Sequence, residues 1–429
     1  MPHAMTHEHP FQTLFESLGH LPNANAEVVN RQAYEILKDL LTVPLEHAGR
    51  CVLLRAPRAG HGKTHLLSRI QHQLGASHEF IPLRADGGNQ IDGGTVIDDA
   101  LRHLLRTLPA SNGLCVLDLM ARRLFATALE PLVSSGEVPC QNREDVLSAL
   151  KHRPMEIFDF HHPNAVTAHW ARENFAVLSR RFSVDLSQRC DLPLCEVGFW
   201  VDALFQFVAV PAENSTRLRV LIDAVHAGNP SERLLVERLE ALLSLLSLLM
   251  RVVLVADDLE GFSSDGPAAL RLAAFLGTLR QSVGRLDIIL SLNQDIWENA
   301  FAAQLSEGLS DRLSEVVIEL KPLTEDEMLA LLESRVPGYG LRVLARVDRA
   351  AAGTHARGWV RAAGVAWLKS SAMHPPLNPV SAAIAQTPAP APPPPTVGDP
   401  SASMQRPAET DRVDGLLQQF LERYGPGGR

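Results

Sequence analysis

The run Pro57-Arg58-Ala59-Gly60-His61-Gly62-Lys63-Thr64 sets glycines, a lysine and a hydroxyl in the order that a polyphosphate requires. Backbone N–H groups of a glycine-rich turn, opening onto a helix N-terminus, surround phosphate oxygens with partial positive charge. A lysine at position 63 reaches the terminal phosphates, and the Thr64 hydroxyl belongs on a Mg²⁺ ion. The expected cradle is Gly60, His61, Gly62, Lys63, Thr64 and His65. The usual pattern opens on glycine, where this chain has Pro57. Proline fixes φ at about −65° and removes an N–H, so the loop must start along a path that proline tolerates.

A second constellation lies far along the chain. Arg251-Val252-Val253-Leu254-Val255-Ala256 is apolar and β-branched, and it ends in Asp257-Asp258-Leu259-Glu260. Such a run suits the centre of a parallel sheet covered on both faces. Acids at its C-terminal end lie at the edge where α/β sheets bind ligands. Asp257 is the candidate carboxylate for the hydrated Mg²⁺, and Asp258 the acid that orients and polarises an attacking water, with Glu260 as a substitute for that role. A third buried strand, Leu286-Asp287-Ile288-Ile289-Leu290-Ser291-Leu292, ends at Asn293, whose amide can hydrogen-bond the outermost phosphate or the water.

The elements that must position these residues are readable nearby. Cys51-Val52-Leu53-Leu54 precedes the loop as a buried strand, and His65 to Ile70 continues it as a helix. Glu79 to Leu83 reads as a second strand and Val96 to Leu108 as an amphipathic helix. The apolar stretch Leu234 to Leu249, interrupted by Glu237, Arg238 and Glu240, reads as a buried helix rather than a membrane span. Val316 to Leu320 is strand-like, and Thr324 with Glu327 three residues on predicts a capping box.

With these residues in place, the chain resembles the AAA+-type P-loop ATPases of the broad group that includes origin-recognition-like and STAND-like members. The matching features are Gly60-x-Gly62-Lys63-Thr64, Asp257-Asp258, Asn293 and the Leu320-x-Pro322-Leu323-Thr324 lead into a helical lid. The resemblance implies that Asn293 is a sensor, that Arg312 in Asp311-Arg312-Leu313 is an arginine finger, and that Arg357 in the lid is a second sensor. It also implies that Val28 to Tyr34, with Arg31, approaches the nucleotide base. It covers roughly residues 10 to 110 and 230 to 372. Asp258 stands where many relatives carry Glu, and an acid one methylene shorter implies slow hydrolysis.

The expected fold class is α/β: a P-loop NTPase parallel sheet with helices on both faces, a long helical insertion and a small C-terminal helical lid. The expected divisions are a disordered leader over 1–15, the ATPase core over 16–108 and 231–321, and a helical insertion over 109–230. A lid over 322–373, a Pro-rich linker over 374–410 and an amphipathic docking helix over 411–424 complete the chain. The insertion repeats apolar residues at helical spacing, which fits either a helical elaboration packed on the core or a module that contacts a partner, and its length beyond what such a core needs favours the module. The linker cannot bury a core and favours extended backbone. The helix after it aligns Val413, Leu416, Leu417, Phe420, Leu421 and Tyr424, and is too short to be stable without a groove.

The 429 residues suit two or three domains, and 46% hydrophobic content suffices for their cores. A net charge of −9 argues against a surface built throughout for nucleic acid, though a local basic patch is compatible with it. Five scattered cysteines and no apolar signal-type leader point to reduced thiols and a cytoplasmic protein. His161-His162 with Cys190 and Cys195 lack the spacing of a familiar zinc site. The expected function is Mg²⁺-dependent binding and hydrolysis of ATP, as a switch or motor that assembles with itself and with a protein partner, away from membranes. The alternatives are a nucleotide-gated DNA-binding regulator of initiator or transposition type, and an ATP-binding scaffold with little turnover.

Overall fold

A computed structural model of the chain describes residues 9–11, 15, 17–20, 25–85, 89–108, 113–138, 140, 142–162, 166–211 and 216–369. The Pro-rich segment 374–410 and the amphipathic segment 411–424 lie outside the described residues. Five strands form one parallel sheet: β1 (Cys51–Ala56), β2 (His78–Leu83), β3 (Arg251–Ala256), β4 (Leu286–Asn293) and β5 (Val316–Glu319). Their order is β2-β3-β4-β1-β5, so the two strands after the first lie on the far side of β4 from β1. All pairs are parallel.

Every residue of β3 and β4 is buried. Alternation along the strands divides them between two faces. Leu53, Ile81, Val252, Leu254, Ile288 and Leu290 feed one core. Val52, Leu54, Phe80, Val253, Val255 and Ile289 feed the other, against α1 (Arg31–Leu41) and α2 (Lys63–Leu74). The continuous apolar strands predicted from sequence are therefore explained by cover on both sides. At the N-terminal ends of these strands, Arg251 donates to Asp287 (3.0 Å), while the Arg50 N–H donates to the same carboxylate (2.9 Å).

The first face is covered by α3 (Gly93–Leu104), whose N-terminus is capped by Asp92, and by the helices before and after β3, and the insertion packs on that layer. That insertion is helical, as its spacing predicts. Its helices are α4 (Val116–Ser135), α5 (Arg143–His152), α6 (Pro154–Ile157), α7 (Val166–Glu173), α8 (Phe175–Cys190), α9 (Leu194–Ala209) and α10 (Arg217–Val225). It does not form a core of its own: its buried side chains are continuous with those of the sheet. Phe125, Phe158, Phe182 and Phe205 meet at its centre. The Trp200 indole donates to the Arg238 carbonyl (2.8 Å) of α11 (Glu232–Ser247), which runs directly into β3. Arg217 is ion-paired with Asp118 in the interior, over the Phe207 ring, and the Cys115 N–H donates to Asp118 (2.9 Å).

Between β3 and β5 come α12 (Gly266–Ser282), α13 (Gln294–Ile296), a π-helical turn and α14 (Glu307–Leu313). The lid then folds around its own core of Leu332, Val343, Trp359 and Ala363. It comprises α15 (Glu325–Arg335), α16 (Gly340–Leu344), α17 (Arg349–Ala352) and α18 (Ala356–Lys369). Thr324 and Glu327 form the predicted capping box of α15. The leader expected over 1–15 is not wholly apart from the fold. Phe11 is buried in the lid core, and its ring centroid lies 6.1 Å from that of Trp367. Among the described residues no helix is long and apolar enough to cross a membrane.

The buried Asp118–Arg217 pair makes the insertion's stability testable. Asp118→Ala leaves a guanidinium unpaired in an apolar interior and should cost about 3–5 kcal/mol in urea unfolding. Adding Arg217→Met should recover much of that loss, because the stranded charge goes too.

Candidate functional site

The site forms where β1, β3 and β4 end together. Ala56, the last residue of β1, is paired with Asn293, the last of β4. From Ala56 the chain turns through 57–62 into α2. Gly60 and Gly62 hold left-handed conformations, with φ of +91° and +95°, which glycine adopts without steric cost. The loop's reversal rests on them, so proline's fixed negative φ at position 57 is compatible with it. Gly62 stands at the N-cap of α2 with no side chain to offer. The N–H groups of the first helical turn therefore face a potential ligand.

Residues far apart in sequence converge here. Lys63 Nζ donates to Asn293 Oδ1 (2.6 Å), and Thr64 Oγ1 donates to Asp257 Oδ2 (2.7 Å). Asn293 Nδ2 in turn donates to Glu260 Oε1 (3.5 Å). The Thr64 hydroxyl and the Asp257 carboxylate thus meet at one point, with Asp258 and Glu260 lining the same pocket. A hydroxyl beside one carboxylate fits Mg²⁺, which keeps several waters and takes few protein oxygens. Among the described residues no cluster of three or more His, Cys, Asp or Glu side chains could hold a metal by itself. The His161 ring instead meets the Val208 carbonyl (3.2 Å).

Lys63 is buried, which pushes its pKa down, while Asp257, Glu260 and Asp258 oppose that shift. Asp258 is shifted the other way. Desolvation raises its pKa first, followed by repulsion from Asp257 and Glu260, against the attraction of Lys63 and Arg357. Its backbone is left-handed (φ 57°, ψ 44°), a conformation that Asp tolerates better than most side chains. That turn leads directly into the 3₁₀ segment Leu259–Ser264, which bends Glu260 back to the pocket.

The lid supplies the opposite wall. Leu331 and Arg335 of α15 and Ala356, Arg357 and Val360 of α18 line the pocket, facing Ala26, Val29 and Asn30. The Arg357 N–H donates to the Gly60 carbonyl (3.0 Å), and the Arg357 guanidinium lies 4.4 Å from the centre of the Phe15 ring. His65 lines the pocket and contacts Asn25 Oδ1 (3.0 Å). His61, expected in the cradle, is buried against the lid ring of His355 and does not line the pocket.

Two expected residues lie elsewhere. Arg31 is exposed and borders a separate hollow with Tyr34, Glu35 and Arg69, so its neighbour Asn30 takes the place at the pocket. Asn30 is left-handed, its N–H donates to Glu327 Oε1 (3.0 Å) and its side chain to the His61 carbonyl (2.9 Å). That turn directs Arg31 outward. Arg312 lies outside the pocket, exposed on α14 next to Gln281 of α12. Sequence reasoning gave the segment 28–34 to the pocket through Arg31 rather than Asn30, gave Glu327 only its capping role, and missed Arg335. An asparagine just before a helix ordinarily signals an extended N-cap rather than a left-handed residue, and nothing in the local sequence around Arg335 marks it.

No protein-family model matches the chain, and no curated protein matches it.

The raised pKa of Asp258 has a sign that can be measured. The folded chain holds this proton more tightly than the unfolded one, so the ionised carboxylate detracts from stability above its unfolded pKa. Asp258→Asn should therefore raise the melting temperature at neutral pH. The gain should be below about 1 kcal/mol, since solvent screens the exposed group, and should fade as pH falls through the carboxylate range.

Proposed function

We propose that this chain is a Mg²⁺-dependent ATPase of the AAA+ type, working as a switch or motor whose nucleotide state governs assembly. The observation that carries the reading is the meeting of Lys63 with Asn293 and of Thr64 with Asp257 at the ends of three adjacent parallel strands. A polyphosphate laid along the loop would accept from the N–H groups of Gly62, Lys63 and Thr64, and would draw the Lys63 ammonium from Asn293. Thr64 and Asp257 would hold Mg²⁺, which supplies charge neutralisation between the phosphates. Asp258 would accept a proton from the attacking water, a role that its raised pKa favours. Asn293, released from Lys63, would orient that water or the outermost phosphate.

The lid wall supports the same reading. Arg357 lies over the loop and Arg335 at the slot between lid and core, where added negative charge would be neutralised. The exposed position of Arg312, outside its own chain's pocket, suits action on a neighbour's nucleotide in a self-assembled form. The segment 411–424 is the proposed protein-docking element, at the end of a linker long enough to reach beyond the core.

Lys63→Ala should weaken binding of a fluorescent ATP analogue by on the order of 100-fold, because it removes a charge-assisted bond to phosphate. Unchanged affinity in a folded Lys63→Ala chain would remove the basis of the proposal.

Asp258→Asn should leave ATP bound while steady-state phosphate release falls by on the order of 10²–10⁴. Equal turnover in that variant would transfer the role to Glu260, and negligible turnover in the unaltered chain would favour the scaffold reading.

A further inference from the structure

The lid touches the phosphate loop through a histidine that the proposed hydrolysis does not use. Arg58 Nη2 lies 2.8 Å from His355 Nδ1. A guanidinium has donors only, so Nδ1 must offer its lone pair and the ring must be neutral, with its proton on Nε2. The same ring stacks on His61 of the loop, centroids 5.8 Å apart and planes 29° apart. Next to it, the Arg357 N–H donates to the Gly60 carbonyl. A methyl group on Gly60 would come within 2.7 Å of His355 Cδ2 and 2.9 Å of Arg357 Cβ, so lid and loop are in direct contact.

We infer that His355 is a proton-sensitive latch: the neutral ring holds α18 on the phosphate loop, and protonation releases it, opening the pocket in acid. A proton on Nδ1 would set an N–H against a guanidinium N–H and abolish the bond. It would also place a charge among the groups that face the ring, which are Arg58 and His61 from the loop and Arg357 and Arg361 from α18. Burial first, and then those groups, push His355 down to about 4. With the lid open the ring should return toward the ordinary histidine value of about 6.5. The open form then binds the proton more tightly, so closure is fully favoured above about pH 6.5 and is lost as pH falls toward the closed-state value. Solvent reaches part of the ring, which limits the change in the closing equilibrium to on the order of tenfold between about pH 8 and pH 5. The latch belongs to the chain without nucleotide and does not depend on the proposed ATPase activity.

The test is amide hydrogen exchange in the full-length, nucleotide-free chain at both pH values, corrected for the intrinsic pH dependence of exchange. Protection over Arg357–Val360, relative to β4, should fall on the order of tenfold in acid. His355→Gln should abolish that fall and keep the lid closed, since its amide oxygen still accepts from Arg58 but does not titrate. The same acid-induced loss in His355→Gln, its disappearance in His61→Gln instead, or no loss in the unaltered chain would each overturn the latch. Should His355→Gln leave the lid open at both pH values, the NMR titration of His355 in the unaltered chain decides. A midpoint well below 6 supports the latch, and an ordinary midpoint overturns it.

Discussion

Parallel pairing of β1 with β4, with Ala56 set against Asn293, fixes the geometry from which the rest of the pocket follows. That register brings the start of α2 beside the tip of β4, so the Lys63 ammonium meets the Asn293 amide without reaching across open solvent. β3 flanks β4 on its other side and ends nearby, which puts Asp257 within reach of Thr64. A slip of one residue in either pairing would turn the strand's alternate side chains to the opposite face. Burial on both sides forbids this. The apolar cores on the two faces of the sheet thus hold the polar residues at its edge in place.

The pocket also depends on a charge balance. Lys63 is buried and Arg357 hangs over the loop, while Asp257, Asp258 and Glu260 face them. The three carboxylates oppose the fall that burial imposes on Lys63, and Lys63 and Arg357 oppose the rise that burial imposes on Asp258. An arriving polyphosphate with Mg²⁺ would add charge of both signs to this set, favouring the ionised form of Lys63. The lid lies where that change would be felt, since its contacts to Gly60, Asn30 and Arg58 all end on the loop or its flank.

The insertion is a helical layer packed on the core. Its helices pack on α3 and α11, which themselves lie on the sheet, and its interior is continuous with the sheet core. It therefore supports β3, whose end carries the candidate metal carboxylate, in addition to any surface it offers. The buried Asp118–Arg217 pair and the Trp200 bond to α11 tie that support together by directional contacts that apolar packing alone would not provide.

The sequence by itself determined the strands, the loop and the polar residues at their ends. Lys63, Thr64, Asp257, Asp258 and Asn293 all lie within a residue or two of a strand end or helix start, and local periodicity locates those ends. The capping box at Thr324 and the helical nature of the insertion were legible for the same reason. Only the tertiary structure decided what meets the loop from outside. Asn30 rather than Arg31 faces the pocket because a left-handed residue turns the chain there, and Glu327 holds that turn from a different domain segment. Arg335, His355 and the burial of Phe11 depend on how the lid docks. Docking sums many weak contacts between segments about 300 residues apart, and no local pattern of residues encodes such a sum.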